Sequence, residues 1–130
     1  MLTWGIILGV IGFSMLGGWY FFIRDTTSHR VISVEGTSSA SDFEGSLLQL
    51  YTNNVFNLEI VYRGQTHFSA IGTFEQTRSE ITFHFVDAWT FDGVNLRQNP
   101  SIINGAPAVN PIQGRRIQIV YGDWILYFSA

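Results

Sequence analysis

The chain contains no cysteine and no lysine, and its first 23 residues carry no charged side chain. Without cysteine, disulfides, thiol catalysis and cysteine-ligated metals are excluded. Seven arginines stand against ten carboxylates, for a net charge of -3, and the only adjacent basic pair is Arg115-Arg116. A nucleic-acid interface needs a clustered basic surface, so the sequence predicts no nucleic-acid partner.

The uncharged N-terminal stretch predicts a single transmembrane helix, which we place at residues 1–25. Its 22 uncharged residues from Leu2 to Ile23 would extend about 33 Å as a helix, close to the roughly 30 Å hydrocarbon core of a bilayer. The expected anchors at the two membrane interfaces are Trp4, Trp19, Tyr20 and Arg24. A cleaved signal peptide would need a basic start, a shorter apolar stretch and a small-residue cleavage site. None of these is present, so a retained anchor is favoured.

Glycines recur along this predicted helix at Gly5, Gly9 and Gly12. Such spacing lets another transmembrane helix approach closely. Glycine is also common in membrane helices that make no such contact, so both interpretations stay open. The partners expected here are the lipid bilayer, other transmembrane subunits, and a bound lipid or pigment at the helix. Arg24 and Arg30 follow the helix and no basic residue precedes it, which predicts a cytoplasmic domain.

Residues 26–44 are small and polar and predict a tether, whereas residues 45–130 predict an antiparallel β-domain. In the second segment apolar residues alternate and the breaks fall on hairpin turns, which indicates a meander of about six strands. The expected cross-strand pairs are Leu58 with Ala70, Ile60 with Phe68, Phe74 with Ile81, Ile119 with Leu126, and Tyr121 with Trp124.

A long irregular loop is predicted at about residues 88–114, which contain all three prolines and four asparagines. A loop of this length in a compact domain usually has a function. It is either an arm that binds a partner or a lobe with an unrecognised strand. The candidate partner contacts are Trp89, Phe91, Pro100, Pro107 and Pro111.

Two short sequences, Gly72-Thr73-Phe74 and Gly122-Asp123-Trp124, stand in a pattern of strands and turns that resembles small bacterial lipocalin-like meander domains. The likeness covers roughly residues 45–128. It implies a lipocalin-like barrel and carries no catalytic signature. Because six strands fall short of the eight in a full lipocalin barrel, we expect a partly open barrel or a curved sheet behind the transmembrane α-helix.

His67 and His84 are candidate metal ligands by residue type only. In the predicted pairing His84 lies opposite Ile71, four residues from His67. That is about 13 Å along a strand, too far for two ligands of one ion. We therefore expect no metal, no cofactor and no catalytic residue.

Two functions remain in view. The first is a non-catalytic accessory subunit that stabilises or assembles a larger integral-membrane complex, for which we expect a photosynthetic or respiratory one. The alternative is a membrane-tethered lipocalin-like module that binds a small apolar ligand. The sequence favours the first through its glycine-striped helix, its aromatic content and its long loop.

Overall fold

Alternation of inward apolar and outward polar side chains produces nine strands in residues 26–130, which are the residues that the computed structural model describes. The strands are β1 (Thr26–Glu35), β2 (Leu47–Tyr51), β3 (Val55–Tyr62), β4 (Gln65–Gln76), β5 (Glu80–Phe91), β6 (Leu96–Gln98), β7 (Ala108–Gln113), β8 (Arg116–Tyr121) and β9 (Trp124–Ser129). A 3₁₀ turn occupies Ala40–Phe43, and a short helix, α1, occupies Pro100–Ile103.

The predicted transmembrane helix lies outside the described residues and stays a prediction. The same holds for its packing and anchoring residues, Gly5, Gly9, Gly12, Trp4, Trp19, Tyr20 and Arg24. In the part of the chain that is described, neither length nor apolar character qualifies any helix as a membrane span.

The strands form one antiparallel sheet that closes on itself. Neighbouring strands pair in turn from β1 to β6, β5 also pairs with β7, β7 pairs with β8 and β8 with β9, and β9 returns to pair with β1. Eight strands complete the ring, and β6 lies beside β5 outside it. The prediction of about six strands in a partly open barrel or curved sheet is therefore corrected to a closed eight-stranded barrel.

The first strand of the ring, β1, was not predicted, because it lies in the segment predicted as a polar tether. It contains β-branched residues suited to strands, among them Val31 and Val34. His29, Val31 and Val34 lie on its inward side, with Val31 opposite Phe128 and Val34 opposite Leu126. A β-bulge between Val31 and Ser33 interrupts the alternation. The tether prediction failed because the bulge and the polar residues concealed the strand.

The segment predicted as a loop at residues 88–114 is also largely regular structure. It contains the end of β5, then β6, α1 and β7. β6 pairs with Trp89–Phe91 and β7 with Glu80–Phe83, so both lie on the same edge of β5. Helix α1 bridges them and packs against β5. Its first turn is capped by Asn99, whose side chain accepts a hydrogen bond from the Ser101 amide at 3.1 Å.

Most of the predicted pairs are confirmed. Those are Leu58 with Ala70, Ile60 with Phe68, Ile119 with Leu126, and Tyr121 with Trp124. The pair of Phe74 with Ile81 is wrong, because Phe74 lies opposite Phe83 and Gln76 opposite Ile81. A shift of two residues keeps each side chain on its expected face. The large side chains that fill the core are Phe43, Leu48, Phe56, Ile60, Ile81, Phe83, Ile117, Leu126 and Phe128.

Candidate functional site

The barrel interior contains a cavity of about 470 Å³ beside helix α1. Its walls are inward-facing side chains of β3, β4, β5 and β8, together with one side of α1 and the start of β7. Ligand pockets in proteins commonly measure about 300–1,000 Å³. The apolar part of the wall consists of Leu58, Ile60, Phe68, Phe83, Phe85, Ile102 and Ile119.

The pairing between β7 and β8 is short, and both strands border the cavity. Their pairing is recorded at Ile112 with Ile117 and at Gln113 with Arg116, next to the hairpin turn. Toward Ala108 on one strand and Val120 on the other, both strands line the cavity instead. Small residues at Gly105 and Ala106 leave further space between α1 and β7. We infer that the cavity opens between the diverging strands.

The polar groups in the cavity wall are all uncharged. They come from Thr90, Ser101, Asn110 and Tyr121. The Tyr121 hydroxyl donates a hydrogen bond to the His67 carbonyl at 3.2 Å, and burial raises the pKa of Tyr121 above its ordinary value. The phenol therefore stays neutral at physiological pH. The arrangement can accept an apolar molecule and offer it a few neutral hydrogen-bonding groups.

Aromatic side chains close the adjacent end of the barrel. The Trp124 ring lies 5.1 Å from Tyr62 and 5.5 Å from Phe43, between ring centroids. Phe43 is fully buried and reaches this end from the connection between β1 and β2. The Arg63 amide donates a 2.7 Å hydrogen bond to the Asp42 carbonyl and so fixes that connection to the turn between β3 and β4.

A second cavity, of about 430 Å³, lies at the opposite end of the barrel. It is more polar and is lined by Thr27, His29, Tyr51 and Gln76, among others. His29 is only 8% exposed, and its Nδ1 has no hydrogen-bond partner among the described residues. Burial lowers the pKa of His29, against an opposing effect of the Thr27 and Leu48 backbone. The imidazole is therefore neutral near pH 7.

The five predicted partner contacts do not form one surface. Pro100, Pro107 and Pro111 are exposed, whereas Trp89 and Phe91 are half-buried on β5. Trp89 lies opposite Gln98 in β6, but Pro111 lies opposite Glu80, at the other end of β5. At about 3.3 Å per residue the two positions are roughly 30 Å apart along the strand.

The two histidines singled out in the sequence are also far apart. His84 lies opposite Thr73 rather than Ile71, because the pairing beside the turn is shifted by two residues from the predicted one, as it is for Phe74 with Phe83. Six residues of β4 then separate His67 from the partner of His84, about 20 Å along a strand. The His84 Nε2 lies 3.8 Å from a Glu75 carboxylate oxygen. No group of three or more potential metal ligands occurs within residues 26–130.

The residues that build the cavity mouth were missed in the sequence. Ala108 and Asn110 alternate with the exposed Val109, which is a strand signal. Pro111 follows immediately, and a proline argues against a central strand. His29 is not predicted because its strand lies in the segment predicted as a tether.

Comparison with known proteins brings no relative: no family model matches the chain, and no curated protein or solved structure is significantly similar to it. The fold alone defines the class. It is an all-β antiparallel domain closed into an eight-stranded barrel, and it is compatible with a lipocalin-like fold.

Proposed function

We propose that this protein is a lipocalin-like binding module that holds a small apolar ligand inside its barrel. The observation that carries the proposal is the cavity of about 470 Å³, which is lined largely by apolar side chains. An eight-stranded barrel is just wide enough to be filled by its own side chains or to hold one small ligand. The cavity supports the second of these outcomes.

The shape of the wall supports the proposal further. Phe68, Phe83 and Phe85 line the cavity with aromatic side chains, and Ile102 on α1 adds a branched apolar group. Transfer of apolar ligand surface from water into such a site is favourable by about 25 cal/mol per Å². The separation of β7 and β8 supplies a route of entry that leaves the rest of the ring intact.

Native mass spectrometry of the full-length protein tests this function. The protein is purified in a mild detergent and incubated with N-phenyl-1-naphthylamine, a neutral apolar probe, and the micelle is removed in the instrument. We expect a one-to-one adduct on the unmodified protein. Ala108→Trp should abolish it, because the indole would occupy the cavity.

Val109→Trp is the matched control, since Val109 lies on the same strand but is exposed on the outer face. This variant should keep the adduct. Thermal unfolding of both variants, followed by circular dichroism, verifies that each is folded. Absence of an adduct on the unmodified protein, or equal adducts on both variants, contradicts the proposed function.

The accessory-subunit function is a second candidate, and one observation favours it. Large apolar side chains are exposed on the outside of the barrel, with Ile71 on β4 at 42% and Val86 on β5 at 64%. Apolar patches on a protein surface often mark contacts with other proteins. The test is to solubilise the native membrane in mild detergent and size the complex. Migration as a free monomer contradicts this candidate.

A further inference from the structure

We infer that the barrel cavity selects an uncharged ligand, an apolar molecule whose polar group is a hydroxyl or a carbonyl, and that it rejects the carboxylate of a fatty acid. This inference rests on the proposed ligand-binding function and narrows it to one class of ligand. It comes from the charges and hydrogen bonds of the cavity wall.

The first step concerns the basic residues. None of the residues that line the cavity is charged. All six arginines within residues 26–130 are exposed: Arg30, Arg63, Arg78, Arg97, Arg115 and Arg116. Arg63 and Arg97 are already paired with Asp42 and Asp92. A ligand carboxylate in the cavity would have no cationic partner, and burying an unpaired charge is costly.

The second step concerns the buried imidazole. His29 is the histidine most deeply buried in the described residues, but it lines the cavity at the opposite end of the barrel. His67 shares its carbonyl with the Tyr121 hydroxyl, yet its own ring packs against Tyr62 and Phe91. Neither imidazole lines the cavity beside α1. No histidine there can replace the missing arginine.

The third step concerns the neutral polar groups. The Asn110 amide nitrogen donates to the Ala108 carbonyl at 3.2 Å, which leaves its amide oxygen as an acceptor. The Ser101 backbone amide is used by the Asn99 cap, but its hydroxyl makes no hydrogen bond within residues 26–130. The amide oxygen can accept from a ligand hydroxyl, and the Ser101 hydroxyl can donate to a ligand carbonyl. Both groups suit a neutral ligand.

A matched pair of ligands tests this selectivity. The full-length protein carrying the N-phenyl-1-naphthylamine adduct is titrated at pH 7.4 with 1-dodecanol or with dodecanoate, and the remaining adduct is measured by native mass spectrometry. We expect dodecanol to displace the probe at a concentration at least about tenfold lower than dodecanoate does, a difference of about 1.4 kcal/mol.

Dodecanol and dodecanoate partition differently into detergent, and this alone could change the concentrations needed for displacement. A charge introduced at the cavity changes the protein and leaves this partitioning the same. Ser101 is exposed on α1 and lines the cavity, so Ser101→Arg brings a guanidinium to the site. It should lower the dodecanoate concentration needed for displacement by about tenfold, whereas the uncharged Ser101→Gln should not.

The outcomes separate the inference from the function on which it rests. If dodecanoate displaces the probe from the unmodified protein as well as dodecanol does, or if Ser101→Arg changes nothing, the inference is overturned and the cavity remains a ligand site. The inference also fails if the probe binds and neither dodecanol nor dodecanoate displaces it. If the probe itself does not bind, the proposed function has failed.

Discussion

At the scale of single residues, His29 makes the stability of the folded state depend on pH. Its imidazole is buried, and burial lowers its pKa below the ordinary value. The unfolded chain therefore binds a proton at a higher pH than the folded barrel does. The folded state is fully favoured above the unfolded pKa of about 6.5, and stability is lost as the pH falls from there toward the folded pKa.

We expect the melting temperature of the full-length protein in mild detergent to decrease as the pH is lowered from 7.5 to 5.5. His29→Gln should flatten this dependence, because an amide has no proton to bind in that range. The four other groups with shifted pKa values in the described residues titrate elsewhere. Burial raises the pKa of Tyr51 and of Tyr121, and the hydrogen bond to Glu35 raises the pKa of Tyr127. Hydrogen bonds from the Asn95 and Val94 amides lower the pKa of Asp92 to about 2.

The comparison that matters is the slope with pH rather than the absolute melting temperature, since His29→Gln also changes packing. His67→Gln is the control, because it leaves the buried imidazole in place. It should keep the full pH dependence. An unchanged slope in His29→Gln would contradict the assignment.

At the scale of strands, the contact between β4 and β5 depends on a missing side chain. A Cβ at Gly72 would lie 1.9 Å from the His84 carbonyl oxygen and 3.0 Å from the Phe56 ring. The bulge beside Gly72 brings the two backbones this close. Gly72→Ala would therefore force β5 away from β4, at a cost of about 3 kcal/mol or more.

This prediction is measured as a loss of melting temperature in the full-length protein. Thr73→Ala is the control, since Thr73 is the next residue of β4 and is exposed. A surface substitution of this kind usually changes stability by about 0.5 kcal/mol or less. Equal effects of the two variants would show that Gly72 tolerates a side chain.

The strands that could be predicted from the sequence are those whose partners are close along the chain. The turn at Gly122 pairs Tyr121 with Trp124, and the turn at Gly64 places Ile60 opposite Phe68. Turn residues and alternation are local signals, so both hairpins were predicted correctly. β1 was missed because its bulge and polar residues hide the alternation, and because one of its two partners, β9, is at the far end of the chain.

The cavity could not be predicted in the same way. It lies where the pairing of β7 with β8 ends, beside small residues at Gly105 and Ala106. Empty space is a property of several elements together, whereas alternation reports only which face of one strand is apolar. The sequence suggested a ligand site through a resemblance alone. The orphaned Nδ1 of His29 likewise depends on contacts with β2, which pairs with β1 through His29 and Leu48.

At the scale of the whole molecule, closure of the ring decides which strands are stable. β1 is paired on both sides, with β9 and β2, although it stands at the beginning of the described chain. β6 has β5 as its recorded strand partner, and its three residues are all exposed. Backbone amides paired within a closed sheet exchange with solvent only when a large part of the structure opens.

Hydrogen–deuterium exchange of the full-length protein in mild detergent tests this view of the barrel. Peptides from β1 should be protected as strongly as those from β3 and β4, while peptides covering Leu96–Gln98 should exchange much faster. An open sheet would give a different order, with β1 and β9 exchanging early as two edges. Rapid exchange in β1 would therefore contradict closure. Slow exchange throughout β1 together with fast exchange in β6 is the result expected when β1 is paired with β9 as well as with β2.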